Sequence, residues 1–275
     1  MKIKSFGADT HGGLTIETVD FQSPTLLVGL SGAGKSQLMG CLYETYQLLC
    51  GEPFSLPDGS YHLRFEHDET SYEFHANVKA GTAVNKRLVA ASGQLPLQTL
   101  KIKDWVGYIH TAKIRQEPLP PAIEPDQIAE IKHLYQFIFQ NIDDVQVEHM
   151  RFKEMGMDWI EADCLSDGML KTFCYLTDLV TAPSGSVILI DEFENGLGPN
   201  CLGILLDEML ARSDVQLILS SHHPYVINNV PSQNWLVISR HQSTITSRSA
   251  AELGVGQTRY DAFFELMNSL SREDF

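Results

Sequence analysis

A chain of 275 residues, 43% of them hydrophobic and 20% charged, can bury a full α/β core with a modest insertion, and nothing in it demands a second domain. A formal net charge of −15 excludes a generally basic nucleic-acid binder, whose non-specific affinity would come from Lys and Arg neutralising phosphates. The 5 cysteines show no C-x-x-C spacing, which excludes a zinc knuckle or a disulfide framework and suits a reducing cytoplasm, with Cys164 and Cys174 expected as core thiols.

The opening MKIKSFGADTHGG lacks an apolar segment of signal-peptide length, and no later run reaches the ~18 uninterrupted apolar residues of a membrane span. A cytoplasmic protein with no membrane partner is expected. A local basic face remains available to nucleic acid, because Lys79, Lys86, Arg87, Lys101, Lys103, Lys113 and Arg115 fall in one central segment. A solvated surface of mixed charge is the plainer reading of the same residues.

Residues 1–50 read as short strands, then a buried strand at Thr25-Leu26-Leu27-Val28, a glycine loop, and a helix from Lys35 with apolar spacing at Leu38, Leu42 and Tyr46. The loop GLSGAGKS, Gly29 to Ser36, matches G-x-x-x-x-G-K-S/T between a strand and a helix, the context a phosphate-binding loop requires. Gly29, Leu30, Ser31, Gly32, Ala33, Gly34, Lys35, Ser36 and Gln37 form the expected nucleotide-binding set. Gly32 and Gly34 let backbone N–H groups wrap phosphates, Lys35 reaches the β and γ oxygens, and Ser36 supplies a Mg²⁺ ligand.

Residues 51–115 alternate in short runs, such as Tyr61-His62-Leu63-Arg64-Phe65 and Tyr72 to Val78, and predict an antiparallel β-subdomain. The prolines Pro118, Pro120, Pro121 and Pro125 then precede a helical stretch, Gln127 to Phe139, placed in a helical insertion spanning 116–165.

Residues 166–275 return to strands and helices. The string Leu165-Ser166-Asp167-Gly168 is ordinary turn chemistry unless it opens a helix through Met169, Leu170, Phe173 and Leu176. In that case Ser166 and Gly168 stand at a helix N-terminus, ready for phosphate. The buried run Val187 to Ile190 ends in Asp191-Glu192, which suits a metal-facing carboxylate followed by a base for an attacking water. A third apolar strand, ending in Ser220-Ser221-His222-His223, brings a histidine able to sense a γ-phosphate, with His222 preferred.

With GLSGAGKS, LSDGMLK, VILIDEFENGLGPN and LILSSHHPYVINN in this order, the chain resembles the ABC-type ATPase heads of the SMC, RecF and overcoming-lysogenisation-defect (OLD) kind over most of its length. The resemblance implies one α/β P-loop NTPase domain with a mostly parallel central sheet and helices on both faces. It also implies a homodimer with each ATP held between one subunit's P-loop and the other's Ser166 and Gly168, Glu192 as catalytic glutamate, His222 as switch histidine, and Gln116 as a lid ligand of Mg²⁺.

Two departures stand out. Gly198 replaces a side chain that often couples the two ATP sites, so that coupling is expected to be weaker or carried by Asn195 or Asn200, and Met169 stands where transporter subunits usually carry Gln. Neither long coiled coils between the two halves of the site nor a nuclease domain of order one hundred residues after His222 is expected. The expected function is therefore an ATP-driven switch acting on a separate, nuclease-like effector in DNA repair or anti-phage defence. A nucleotide-gated scaffold or DNA-binding module with slow hydrolysis is the alternative, and a transporter ATPase subunit is disfavoured.

Overall fold

The computed structural model describes residues 1–96, 106–109, 123–255 and 262–272. The chain divides into two compact units: Met1–Ile109 with Ser184–Phe193 and Ser213–Phe275, and His110–Pro183 with Glu194–Arg212.

In the first unit the elements run β1 (Lys2–Thr10), β2 (Thr15–Asp20), β3 (Thr25–Val28), α1 (Lys35–Cys50), β4 (Gly59–His67), β5 (Thr70–Lys79), β6 (Thr82–Ala90), β7 (Gly93–Leu95) and β8 (Val106–Ile109). The second unit supplies α2 (Pro125–Ile138), β9 (Ile142–Gln146), β10 (Arg151–Glu154), β11 (Trp159–Glu161) and α3 (Asp167–Thr181). Then come β12 (Val187–Ile190), α4 (Pro199–Ala211), β13 (Gln216–Ser220), α5 (Pro224–Asn229), β14 (Trp235–His241), β15 (Thr244–Ser249), α6 (Ala250–Leu253) and α7 (Ala262–Arg272). Of these, α4 belongs to the second unit.

A 12-stranded sheet carries the first unit, in the order β7-β6-β5-β4-β1-β2-β15-β14-β3-β13-β12-β8. From β14 to β8 the pairings are parallel, and from β2 through β7 they are antiparallel. The sequence explains the division. β3, β12 and β13 are buried at every position, as apolar strands covered on both faces are. β4 instead buries Tyr61, Leu63 and Phe65 and turns His62 and Arg64 outward, the alternation of a strand with one covered face.

One core serves both halves: Leu38, Leu42 and Tyr46 of α1 join Phe6, Leu63, Phe65, Phe74 and Leu189. The antiparallel strands are thus not a separate sheet, because β1 pairs with β2 on one side and with β4 on the other. β8, expected within the β-subdomain, lies at the opposite edge beside β12, with Ile109 level with Ile190. Gln216, 4% exposed, ties the two halves further: its Nε2 donates to the Ile3 and Gln22 carbonyls and its Oε1 accepts the Ile3 N–H. A buried amide satisfied this way fixes the position of β13 relative to β1.

The second unit packs around Tyr135, Phe152 and Phe173, with Phe152 and Phe173 edge to face at 5.0 Å. Burial pushes the Tyr135 hydroxyl pKa well above its ordinary value. The stretch expected as a helical insertion holds a helix, α2, and then a three-stranded antiparallel sheet, β11-β10-β9, which the residue pattern does not announce. Arg212 donates to the Leu179 carbonyl at 2.6 Å and so satisfies an orphan acceptor at the end of α3.

Cys164 is exposed rather than a core thiol, because it lies in a short turn of helix ahead of α3, and Cys174 is half-buried. Among the described residues no helix is long and apolar enough to cross a membrane.

Candidate functional site

The parallel register places three strand ends side by side: Leu27 pairs with Ser220, and Leu219 pairs with Ile190. The segments that follow β3, β13 and β12 therefore leave the sheet at one edge, where α/β folds of this kind bind ligands.

After β3 the chain turns through Gly29 at φ +147°. A Cβ there would lie 2.2 Å from the Ile238 carbonyl oxygen, so only glycine lets the loop pass this close to β14. Gly34 stands in the left-handed region at φ +98°, and a Cβ on it would meet Ile245 Cδ1 at 2.3 Å. Gly34 is also the N-cap of α1, and no side chain caps that helix end, which leaves its N-terminal N–H groups directed at the loop. Ser31, Gly32, Ser36 and Gln37 are exposed, whereas Ala33 and Lys35 are buried. Lys35 folds back, its Nζ donating to the Gly29 carbonyl at 2.9 Å and the Leu30 carbonyl at 3.2 Å. Gln37 Oε1 accepts from Arg240 on β14 at 3.0 Å, a partner that the motif does not reveal.

After β12, Asp191 is 3% exposed and its Oδ1 accepts from Ser220 Oγ at 2.5 Å. The same hydroxyl oxygen accepts the Glu192 N–H at 2.8 Å. Glu192 takes φ +51°, an uncommon conformation for a non-glycine residue, and it turns the chain directly after the buried carboxylate. The Phe193 N–H donates to the Ser220 carbonyl at 3.0 Å. Ser220 thus organises the acidic turn, a role the sequence signals only as a hydroxyl ending an apolar strand. Past β13, Ser221 is buried and its Oγ accepts the His223 N–H at 3.0 Å. His222 is half-buried and His223, whose Nδ1 accepts the Tyr225 N–H at 3.2 Å, is exposed.

The first unit therefore brings together Gly29 to Gln37, Asp191, Glu192 and His222. Gly29 and Gly34 let the loop pass close to β14 and β15, where a Cβ would strike Ile238 or Ile245, and the same unit carries a lysine, a hydroxyl and two carboxylates. That donor set fits a triphosphate with Mg²⁺.

Ser166 and Gly168 lie in the second unit. Ser166 is the exposed N-cap of α3, its Oγ accepting the Met169 N–H at 3.3 Å, so the LSDG string does open the helix. Gly168 packs so closely on the loop before α4 that a Cβ would lie 2.9 Å from the Gly196 carbonyl oxygen. Lys171, 4% exposed, donates to the Asn195 carbonyl and lies over the Tyr175 ring at 5.2 Å. The loop that follows the acidic strand is thereby fastened to the helix that begins with the signature. Gln116 lies outside the described residues, as do Lys101, Lys103, Lys113 and Arg115.

Glycine loop, acidic strand end and histidine on adjacent parallel strands define a P-loop ATPase head fold of the SMC and ABC type, and the comparisons agree. Residues 108–228 match the family described as "AAA domain, putative AbiEii toxin, Type IV TA system", a stretch that holds Ser166, Gly168, Asp191, Glu192 and His222 and lies beyond the glycine loop. The SMC head domain from Thermotoga maritima superposes with a TM-score of 0.61 at 13% identity, over 90% of this chain and 99% of that one. An SMC head bound to the C-terminal winged-helix domain of ScpA gives 0.64 at 12% identity, over 92% and 99%. The ATP-binding subunit of an ABC transporter gives 0.54 at 14%, over 98% and 99%. No curated protein matches the chain.

Proposed function

We propose that the protein binds and hydrolyses ATP, closes as a homodimer around it, and acts as a switch on a separate effector in DNA repair or anti-phage defence. The observation that supports this most is the register of β3, β13 and β12, whose C-terminal ends lie side by side and lead into the glycine loop, Ser221-His222 and Asp191-Glu192. Lys35 would leave the Gly29 and Leu30 carbonyls for the β and γ oxygens. Ser36 and Asp191 would hold Mg²⁺, which would supply charge to neutralise the phosphate oxygens. Glu192 would take the proton of the attacking water, and His222 would bond the γ-phosphate or that water.

The exposed Ser166 and the half-buried Gly168 at the start of α3 would meet the ATP of a second subunit, since helix N-termini favour phosphate. Gln116 completes the proposed set as a lid ligand. The toxin–antitoxin system in the matched family's description supports a two-component defence setting for the effector.

The test is the molar mass of Glu192→Gln by light scattering after size exclusion, with and without Mg-ATP, beside phosphate release by the unaltered protein. A doubled mass with Mg-ATP, absent in Ser166→Arg, together with phosphate release that Glu192→Gln loses, is expected. A monomer at saturating, demonstrably bound ATP sinks the dimer switch, and absence of phosphate release sinks the enzyme.

A further inference from the structure

Away from the strand ends, the open face of the antiparallel half carries a group of side chains that the nucleotide chemistry does not use. His62 on β4 and His75 on β5 are direct cross-strand partners. Both point to the face opposite the core, since their neighbours Leu63 and Phe74 are fully buried. Their rings stack with centroids 4.4 Å apart and an interplanar angle of 24°. Glu73, two residues before His75, lies on the same face, because side chains two apart on a strand share a side. One ligand atom from each of His62, Glu73 and His75 lies within 4.8 Å of the others.

We propose that His62, Glu73 and His75 form a site for a borderline divalent ion of the Zn²⁺ class. Two imidazoles select such an ion over Mg²⁺ or Ca²⁺, which prefer all-oxygen shells. The carboxylate is already oriented toward the imidazoles, because Arg64 holds Glu73 Oε1 through Nε at 3.1 Å and a terminal guanidinium nitrogen at 3.0 Å. That leaves Oε2 on the side of His75 Nε2, 3.8 Å away. A partner that fixes the orientation of a ligating carboxylate is a regular part of metal sites.

Three protein ligands leave a fourth tetrahedral position open. Here that position would face a shallow cavity of about 410 Å³, lined by His62 and His75 together with Thr18, Ser60 and Asn77. Water or a small anion would fill it. Gly7, paired with His62 across β1 and β4, leaves the floor beside the imidazoles without a side chain. The consequence of occupancy is mechanical: an ion bound by residues of both strands clamps β4 to β5.

The proposal is independent of ATP turnover and is tested without it. The full chain, stripped with EDTA, desalted and kept reduced, is titrated with ZnCl₂ by calorimetry, and zinc-induced shifts of histidine imidazole signals are followed by NMR. One equivalent is expected to bind with micromolar affinity, moving the signals of two histidines that vanish from the spectra of His62→Asn and His75→Asn. Each of these variants should bind at least about tenfold more weakly, since losing a ligand should cost no less than losing a partner that only orients one. Both positions are partly exposed, and circular dichroism verifies that the variants fold.

Arg64→Ala should weaken zinc less than either histidine variant, because it acts only through Glu73. Undiminished binding by a variant carrying both His62→Asn and His75→Asn would assign the zinc to cysteines or to the nucleotide site and overturn the proposal. So would absence of binding at about 100 μM zinc, well above the expected dissociation constant.

Discussion

Ser220 holds Asp191: its hydroxyl donates to Oδ1 at 2.5 Å while accepting the Glu192 N–H at 2.8 Å, so one side chain on β13 sets both acids that follow β12. Removing it leaves a buried carboxylate short of a donor and frees a turn held at positive φ. Ser220→Ala should cost about 1–3 kcal/mol in urea unfolding, the usual penalty for orphaning a buried polar group. If Asp191 and Glu192 act as proposed, kcat should fall about 10–100-fold, as for loss of an orienting partner, with KM for ATP little changed. Ser220→Thr retains the hydroxyl and should restore most of the loss. Equal damage from Thr and Ala would mean that packing, not the hydrogen bond, matters.

The glycines of the loop should separate by what a Cβ would meet. Gly29→Ala directs a methyl at the Ile238 carbonyl oxygen, 2.2 Å away and part of a buried strand that cannot yield. Gly32 at φ +85° has no atom within 4 Å of such a methyl, so Gly32→Ala costs only the left-handed backbone, about 1–2 kcal/mol. Thermal unfolding should show a modest drop for Gly32→Ala and a collapse of soluble yield or of the transition for Gly29→Ala. Similar melting points for the two would refute the close approach of loop and β14.

Much of this was legible in the sequence because it is local. Val28, Gly34 and Lys35 belong to one contiguous strand, loop and helix, and Ser166 caps the helix that its own hydroxyl begins. What escaped depends on pairing between distant segments. Nothing within Val106–Ile109 indicates that it would lie against Val187–Ile190 instead of its antiparallel neighbours. The strands β9 to β11 are 3 to 5 residues long, too short for alternation to register against the helical pattern before them. The contact between Ser220 and Asp191 spans 29 residues and rests on the register of two parallel strands, which periodicity does not encode.

At the start of α3, stability and proposed function can be measured apart. Ser166 caps through one hydrogen bond of 3.3 Å at an exposed position, so Ser166→Ala should cost about 1 kcal/mol in denaturant unfolding. Its effect on the ATP-dependent mass of Glu192→Gln should be far larger, with the dimer lost at ATP concentrations that saturate the parent. Gly168→Ala should do the reverse damage first, because its methyl would press on the Gly196 carbonyl oxygen at 2.9 Å, and its unfolding midpoint should fall further than that of Ser166→Ala. If Ser166→Ala leaves the dimer mass intact, the hydroxyl has no part in closing it.

The thiols offer a prediction that tests local electrostatics alone. Cys164 is exposed, and its Sγ lies 3.5 Å from Asp163 Oδ1. The carboxylate accepts from the thiol and repels the thiolate, so the Cys164 pKa is raised above its ordinary value. Burial pushes Cys41 up to about 11, with Glu44 adding to the shift. Alkylation follows the thiolate fraction, so a raised pKa lowers the rate below it and displaces the rise in rate to higher pH. With iodoacetamide at about pH 8, Cys164 should react more slowly than an unperturbed cysteine of pKa about 8.5, despite its exposure. Its rate should still be climbing where that of a free thiol has levelled. Asp163→Asn removes the charge and should bring the midpoint back toward the ordinary value, whereas Cys41 should stay unlabelled in the folded protein throughout. Peptide mapping by mass spectrometry reads both sites in one sample, and a Cys164 profile identical in the parent and Asp163→Asn would show that the carboxylate does not govern the thiol.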